Sequence, residues 1–279
     1  MPVVAILGTG LLGAGMAANL LERGVSVRVW NRTREKLAPL AEAGAVVCGS
    51  TAEAVAGAER VHIVLTADDA VDAVVDAVLP DLAPATPLLD HSTNLPARVG
   101  PRFARLRSAG VRYLHCPVFM SPANTRAGTG LMLAAGPATE IAALESALLT
   151  MTGKLWNVGE RPDLAAVYKL IGNGMLIGIT GVLGDALRIG RSEGLNAAEV
   201  GRLFDNFNPA GMLPFATQRI EKAGSGPASF ALDMARKDVA LMLQTTGEGT
   251  VLLHAVAAAM DAAIAAGHGN DDYAVFAKV

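Results

Sequence analysis

The chain has 279 residues, long enough for one large domain or two moderate ones, each able to bury its own core. Hydrophobic residues make up 52% and charged residues 18%, an excess carried by Ala and Gly more than by aromatics, which excludes a disordered chain and favours close helix–helix packing. A net charge of -3 lays down no basic footprint for nucleic acid, and two cysteines, Cys48 and Cys116, make neither a disulfide framework nor a metal-ligand spacing.

No basic segment precedes the first apolar run, so no signal peptide is expected, and the longest apolar window, Leu170 to Gly184, reads as too short to span a bilayer. The expectation is a cytoplasmic protein with a small-molecule substrate and no membrane or nucleic-acid partner, its cysteines reduced and buried.

In chain order, Val3 to Leu7 is short and rich in β-branched residues, as a fully buried parallel strand requires. Gly8-Thr9-Gly10-Leu11-Leu12-Gly13 follows at once as G-x-G-x-x-G, opening a helical pattern from Leu11 to Arg23 that Gly24 ends. In this pattern Gly8 makes the tight turn, Gly10 lets a pyrophosphate approach the backbone, and Gly13 lets helix and strand pack closely. The free N–H groups of the first turn, at Leu11, Leu12 and Gly13, point with the positive dipole end at the phosphates. Strand before, helix after and a second strand, Val25 to Trp30, together specify dinucleotide binding where the glycines alone would not.

The end of that second strand selects the cofactor. A carboxylate there would bond the ribose 2′-OH of NAD; here stand Asn31, Arg32, Thr33 and Arg34. Guanidinium groups match phosphate geometry, so NADP(H) is favoured over NAD(H); the plain alternative is a pair of solvated loop arginines.

Thr33 to Ala43 reads as a helix with Thr33 as its N-cap, and Val61 to Leu65, Leu88 to Asp90, Val111 to Cys116 and Leu131 to Ala135 read as further strands. His91-Ser92-Thr93-Asn94 is a polar turn entering a helix near Pro96, where Ser92 and Thr93 are candidates for a cap or for ligand contact. Alternating strands and helices give an α/β fold with a Rossmann doubly wound parallel sheet, its sites at the carboxyl ends of the strands. After Gly159 the strand signal stops. Pro162 to about Gly190 reads as one long helix joining the two parts, and its glycines 172, 174, 178, 181 and 184 suggest close approach of another backbone. Helical patterns at Ala197–Asn206, Gly211–Ala223, Leu232–Thr245 and Gly249–Ala266 complete an all-α domain. The expected division is a dinucleotide-binding domain over 1–160 and a helical substrate and dimerisation domain over 161–279.

With these motifs in hand, the whole chain resembles the β-hydroxyacid dehydrogenase family, whose members include 3-hydroxyisobutyrate dehydrogenases and tartronate semialdehyde and glyoxylate/succinic semialdehyde reductases. The resemblance rests on GTGLLGAGMAANLLERG, Asp90-His91-Ser92-Thr93, Lys169 with Asn173, and Lys237-Asp238. The VWNRT segment and Asp271-Asp272-Tyr273-Ala274-Val275-Phe276 look most like the NADPH-linked glyoxylate/succinic semialdehyde branch, and the second domain is expected to resemble the C-terminal domain of 6-phosphogluconate dehydrogenase.

The resemblance implies hydride transfer between NADP(H) and a small aldehyde or keto acid, with Lys169 protonating the carbonyl oxygen. A lysine suits that role because its ammonium, pKa roughly 10.4, is protonated at neutral pH and offsets charge growing on oxygen. Asn173, four residues on, shares the helix face and can grip the same substrate. The resemblance also places Thr93 near the nicotinamide ribose and Lys237 against the cofactor, where the plain reading of Lys237 is a surface charge beside Asp238. Where the family usually has Pro-Val-Ser-Gly-Gly, this chain has Pro117-Val118-Phe119-Met120-Ser121-Pro122-Ala123-Asn124, leaving Ser121 and Asn124 to take an acid group. His91 is nearest the expected site, with a structural role favoured for it, and neither histidines nor acids have metal-ligand spacing. Two rivals stand beside this reading: an imine reductase, whose family replaces the lysine, and a non-catalytic NADP-binding module. The glycine-rich helix suggests a homodimer or homotetramer.

Overall fold

The computed structural model describes residues 3–246 and 249–278. Its first part alternates strand and helix: β1 (Val3–Leu7), α1 (Leu11–Glu22), β2 (Ser26–Trp30), α2 (Ala38–Glu42), β3 (Val46–Val47), α3 (Thr51–Val55), β4 (Arg60–Ile63), α4 (Asp68–Val78), β5 (Pro87–Asp90), α5 (Pro96–Ser108), β6 (Arg112–His115), β7 (Val118–Phe119), α6 (Pro122–Ala127), β8 (Leu131–Ala135), α7 (Ala138–Leu149) and β9 (Lys154–Gly159). The strand order β3-β2-β1-β4-β5-β6-β8-β7, with β9 beside β8, makes one sheet. Every pairing from β3 to β6 is parallel, as the sequence leads one to expect. Beyond β6 the direction changes: β8 runs antiparallel to β6 and β7 and parallel to β9.

The parallel strands are buried on both faces, which is why they read as unbroken apolar runs. Along β1, Val4 and Ile6 enter one core with Leu89 and Leu114, while Ala5 and Leu7 enter the other with Val61 and Leu88. Each fully buried Leu, Ile or Val contributes about 1.5–3 kcal/mol over exposure. Gly24 ends α1 at φ +76°, its N–H donating to Leu21 O.

Thr33 makes no side-chain cap, and the helix expected from it divides into a 3₁₀ turn, Arg34–Leu37, and the short α2. Thr33 instead offers its carbonyl to Asn31 Nδ2. Likewise Ser92 and Thr93 do not cap α5, whose N-cap is Leu95. Both β7 and α6 lie between the expected strands Val111 to Cys116 and Leu131 to Ala135, where no element was expected.

The remaining helices are α8 (Leu164–Ser192), α9 (Ala197–Gly201), α10 (Leu213–Lys222), α11 (Leu232–Thr246) and α12 (Leu252–Ala263). Contacts divide the chain into residues 1–173 and 174–279, within α8 rather than at residue 160. The second unit closes its own core around Leu232, Val239, Met260, Ala263 and Val275. Asp185, buried in α8, accepts from the N–H groups of Val251, Leu252 and Leu253 and so caps α12.

Two of the glycines of α8 lie against side chains rather than against another backbone. A Cβ on Gly181 would lie 2.6 Å from Leu252 Cδ1, and Gly172 faces the Phe119 ring, whereas Gly174 and Gly178 face open space. Among the described residues α8 is long and apolar enough to cross a membrane by length and composition, so the expectation of a span too short does not hold for the helix itself. Only 6% of its most apolar window is buried.

Candidate functional site

The glycine-rich turn has the shape that dinucleotide binding needs. Gly8 sits at φ +99°, and a Cβ there would strike Val64 O; one on Gly13 would strike Gly8 O. Larger residues are therefore excluded at both positions for backbone reasons. Gly10, by contrast, faces open space, so its missing Cβ leaves room above the start of α1 rather than relieving a contact. The first turn of α1 has no side-chain cap and no acidic residue, which leaves its N–H groups at Leu11, Leu12 and Gly13 to an acceptor from outside. Thr9 Oγ1 is buried without a hydrogen-bond partner among the described residues.

Asn31 ties the strand end to this turn. Its Oδ1 accepts from Thr9 N–H at 3.1 Å while its Nδ2 donates to Thr33 O at 2.8 Å. Arg32 and Arg34 beside it are exposed, with no ion-pair partner among the described residues. An open glycine cradle, uncapped N–H groups and an orphan hydroxyl fit the pyrophosphate of a dinucleotide, with two unpaired guanidiniums nearby among the described residues.

At the ends of β4 and β5 a second turn is fixed from below. Ser92 is buried, its Oγ accepting from Leu65 N–H at 3.0 Å, which joins the two strand ends. Asp90, fully buried, accepts from Ser92 N–H, Asn94 Nδ2 and the Tyr113 hydroxyl. Arg102 lies 3.7 Å from Asp90 and bonds Asp68 and Asp72 on α4. Thr93 is thereby left as the exposed member of the turn. Ser92, a candidate for substrate contact, is spent holding the turn together.

Beneath that turn runs a chain of buried donors absent from the sequence reading. Arg60 Nε donates to His62 Nε2 at 3.2 Å, His62 Nδ1 meets His91 Nε2 at 2.8 Å, and His91 Nδ1 meets Cys116 O at 2.7 Å. The arginine can only donate and the carbonyl only accept, so each imidazole is neutral and carries its hydrogen on Nδ1. Burial pushes His62 well below the usual range and His91 down to about 4. His91 therefore has the structural role favoured for it, with His62 as its partner. No cluster of His, Cys, Asp or Glu among the described residues is arranged to hold a metal ion.

Lys169, on the first part of α8, is 8% exposed. Its Nζ donates to Val118 O at 2.6 Å and lies 4.1 Å from the centre of the Phe119 ring. Burial lowers its pKa from the ordinary lysine value. Asn173 stands one turn further on the same helix, half-buried. Ser121 and Asn124 are occupied with each other: Ser121 N–H and Oγ–H donate to Asn124 Oδ1, Asn124 N–H donates to Ser121 Oγ, and Asn124 Nδ2 donates to Thr129 Oγ1. This capping box starts α6 and pairs with each other the groups expected to take an acid, at an exposed position. Lys237 lies in the second unit, on α11, exposed and 3.1 Å from Asp238.

Residues 3–159 match the family model described as the NAD binding domain of 6-phosphogluconate dehydrogenase. The chain is 30% identical to the 3-sulfolactaldehyde reductase of Escherichia coli over 98% of its own length and 94% of that protein's. It is 28% identical to glyoxylate/succinic semialdehyde reductase 1 of Arabidopsis thaliana, covering 93% of this chain and 90% of the plant protein. Among solved structures it superposes on an imine reductase from Myxococcus stipitatus in complex with NADP+ with a TM-score of 0.87, at 21% identity and covering 99% of both chains. That last likeness is one of fold.

Proposed function

The chain belongs to the β-hydroxyacid dehydrogenase family, built on the NAD-binding domain of 6-phosphogluconate dehydrogenase, and within that family of NAD(P)-dependent oxidoreductases we propose that it reduces a small aldehyde or keto acid to the hydroxy compound with NADPH. The observation that carries this reading is Lys169: a buried ammonium with one neutral acceptor, no carboxylate in ion-pair range among the described residues, and Asn173 on the same face.

Gly8, Gly10 and Gly13, with the N–H groups of Leu11 and Leu12, would hold the cofactor's pyrophosphate, Arg32 beside Asn31 and Thr33 would take a 2′-phosphate, and Thr93 would meet the nicotinamide ribose. The bound nicotinamide supplies the hydride. Lys169 hydrogen-bonds the carbonyl oxygen, offsets the negative charge that grows there, and passes it a proton. Asn173 holds the same oxygen or its neighbour in line. Burial of the lysine keeps water from competing for that bond.

A second reading, reduction of an imine, draws support from the apolar Phe119 beside Lys169. Turnover of glyoxylate, succinic semialdehyde, tartronate semialdehyde, the neutral isobutyraldehyde and cyclic imines with NADPH and with NADH tests both. Reduction of a carbonyl substrate with NADPH preferred supports the first reading; imine turnover alone replaces it with the second.

The protein is further read as a cytoplasmic homodimer or homotetramer. Leu170, Ile171, Leu176, Ile177 and Val182 are all exposed around α8, apolar surface that a partner subunit would cover. Light scattering on the purified protein tests this, and a monomer at working concentration refutes it.

A further inference from the structure

The ammonium of Lys169 has three N–H donors, and this chain occupies two of their directions. One donates to Val118 O, and another faces the Phe119 ring, both groups belonging to β7. The face of an aromatic ring is its negative side, so Phe119 stands where an anion would otherwise pair with the buried charge.

The ring is seated against α8, and the backbone that carries it is held from the sheet side. Gly172, three residues after Lys169 and on the same face of α8, has no side chain; a Cβ there would lie 2.6 Å from Phe119 Cε1 and nearer still to Cζ. From the sheet side, Gly130 at φ +97° passes so close that a Cβ would lie 2.9 Å from Phe119 O and 2.8 Å from Met120 Cγ. The next residues give little to an anion, since Pro122 has no N–H and Ser121 and Asn124 are bonded to each other. A carboxylate brought to this wall would lose water and meet the negative face of a ring.

We infer that Phe119 is a specificity-determining residue which, standing over Lys169 in the slot left by Gly172, takes the place of a substrate acid group and so narrows the aldehydes and keto acids of the proposed reaction to neutral carbonyl compounds. The last N–H of Lys169 then serves the carbonyl oxygen alone. This deepens the reading of Lys169 as the proton donor and rests on it.

The test is a pair of inert ligands of nearly equal shape, isobutyramide and isobutyrate, titrated calorimetrically into the NADP+-loaded protein. The wild type is expected to bind the neutral amide at least tenfold more tightly. Phe119→Ser, which uncovers the ammonium, and Gly172→Ala, which pushes the ring aside without adding a polar group, are each expected to shift the ratio toward the acid. Equal or tighter binding of isobutyrate by the wild type overturns the inference whether or not the variants fold. So does an unchanged ratio in folded variants. Failure of the broader reading shows separately, as no NADPH oxidation with any carbonyl compound, because the binding ratio is read without turnover.

Discussion

Acidification from pH 7 to 5.5 is expected to destabilise the fold through the buried imidazole pair, which stays neutral while its unfolded counterpart protonates, before any ordinary carboxylate titrates. In the folded chain His62 and His91 are held neutral by Arg60 at one end and Cys116 O at the other, and protonating either ring places a charge among full donors. Burial puts the folded pKa of His91 at about 4 and holds that of His62 well below its ordinary value, against about 6.5 in the unfolded chain. Between those values the unfolded state binds more protons, so stability falls as pH falls. At pH 5.5 the unfolded state gains about 1 kcal/mol per histidine relative to pH 7, and so roughly 2 kcal/mol for the pair. His115, which burial also lowers, adds in the same direction. Urea unfolding at the two pH values measures the loss, and NMR titration of the imidazole C–H signals locates its source. A stability that is flat over this interval, or either ring titrating near pH 6.5 in the folded protein, would refute the neutral chain.

As a proton donor with a pKa lowered by burial, Lys169 should give a kcat/KM for reduction that declines with rising pH at a midpoint below the free-lysine value of about 10.4; a midpoint at or above it contradicts the buried site. Arg32→Ala should raise KM for NADPH about ten- to a hundredfold, charged hydrogen bonds being worth about 1.5–3 kcal/mol, and leave KM for NADH unchanged. Asp185→Ala strips the acceptor from three N–H groups at the start of α12 and should cost about 1–3 kcal/mol, seen as a lower urea midpoint with an unchanged slope.

Features fixed by local chemistry were legible in the residues. The runs at Val3–Leu7 and Arg60–Ile63 are buried on both faces, and the glycines at 8 and 13 are forced by backbone clashes, so a short pattern carries the whole constraint. What sequence missed depends on pairing across distance. Phe119 reaches Lys169 only because β7 pairs antiparallel with β8, an arrangement a two-residue strand cannot announce. His62 meets His91 because β4 and β5 are neighbours, although 29 residues separate the rings. Ser92 and Thr93 looked like caps because Ser and Thr favour that position, but the buried carboxylate of Asp90 captured the turn first. Asp185 gave one available signal, a lone acid inside an apolar helical run, whose burial calls for several donors.

Substitution of Lys169 by Ala, followed by steady-state reduction and by NADPH binding through cofactor fluorescence, tests the chemistry most directly. If this ammonium delivers the proton, kcat falls by about a hundred- to ten-thousandfold while the dissociation constant for NADPH stays within about twofold. Turnover equal to that of the unaltered enzyme would contradict it.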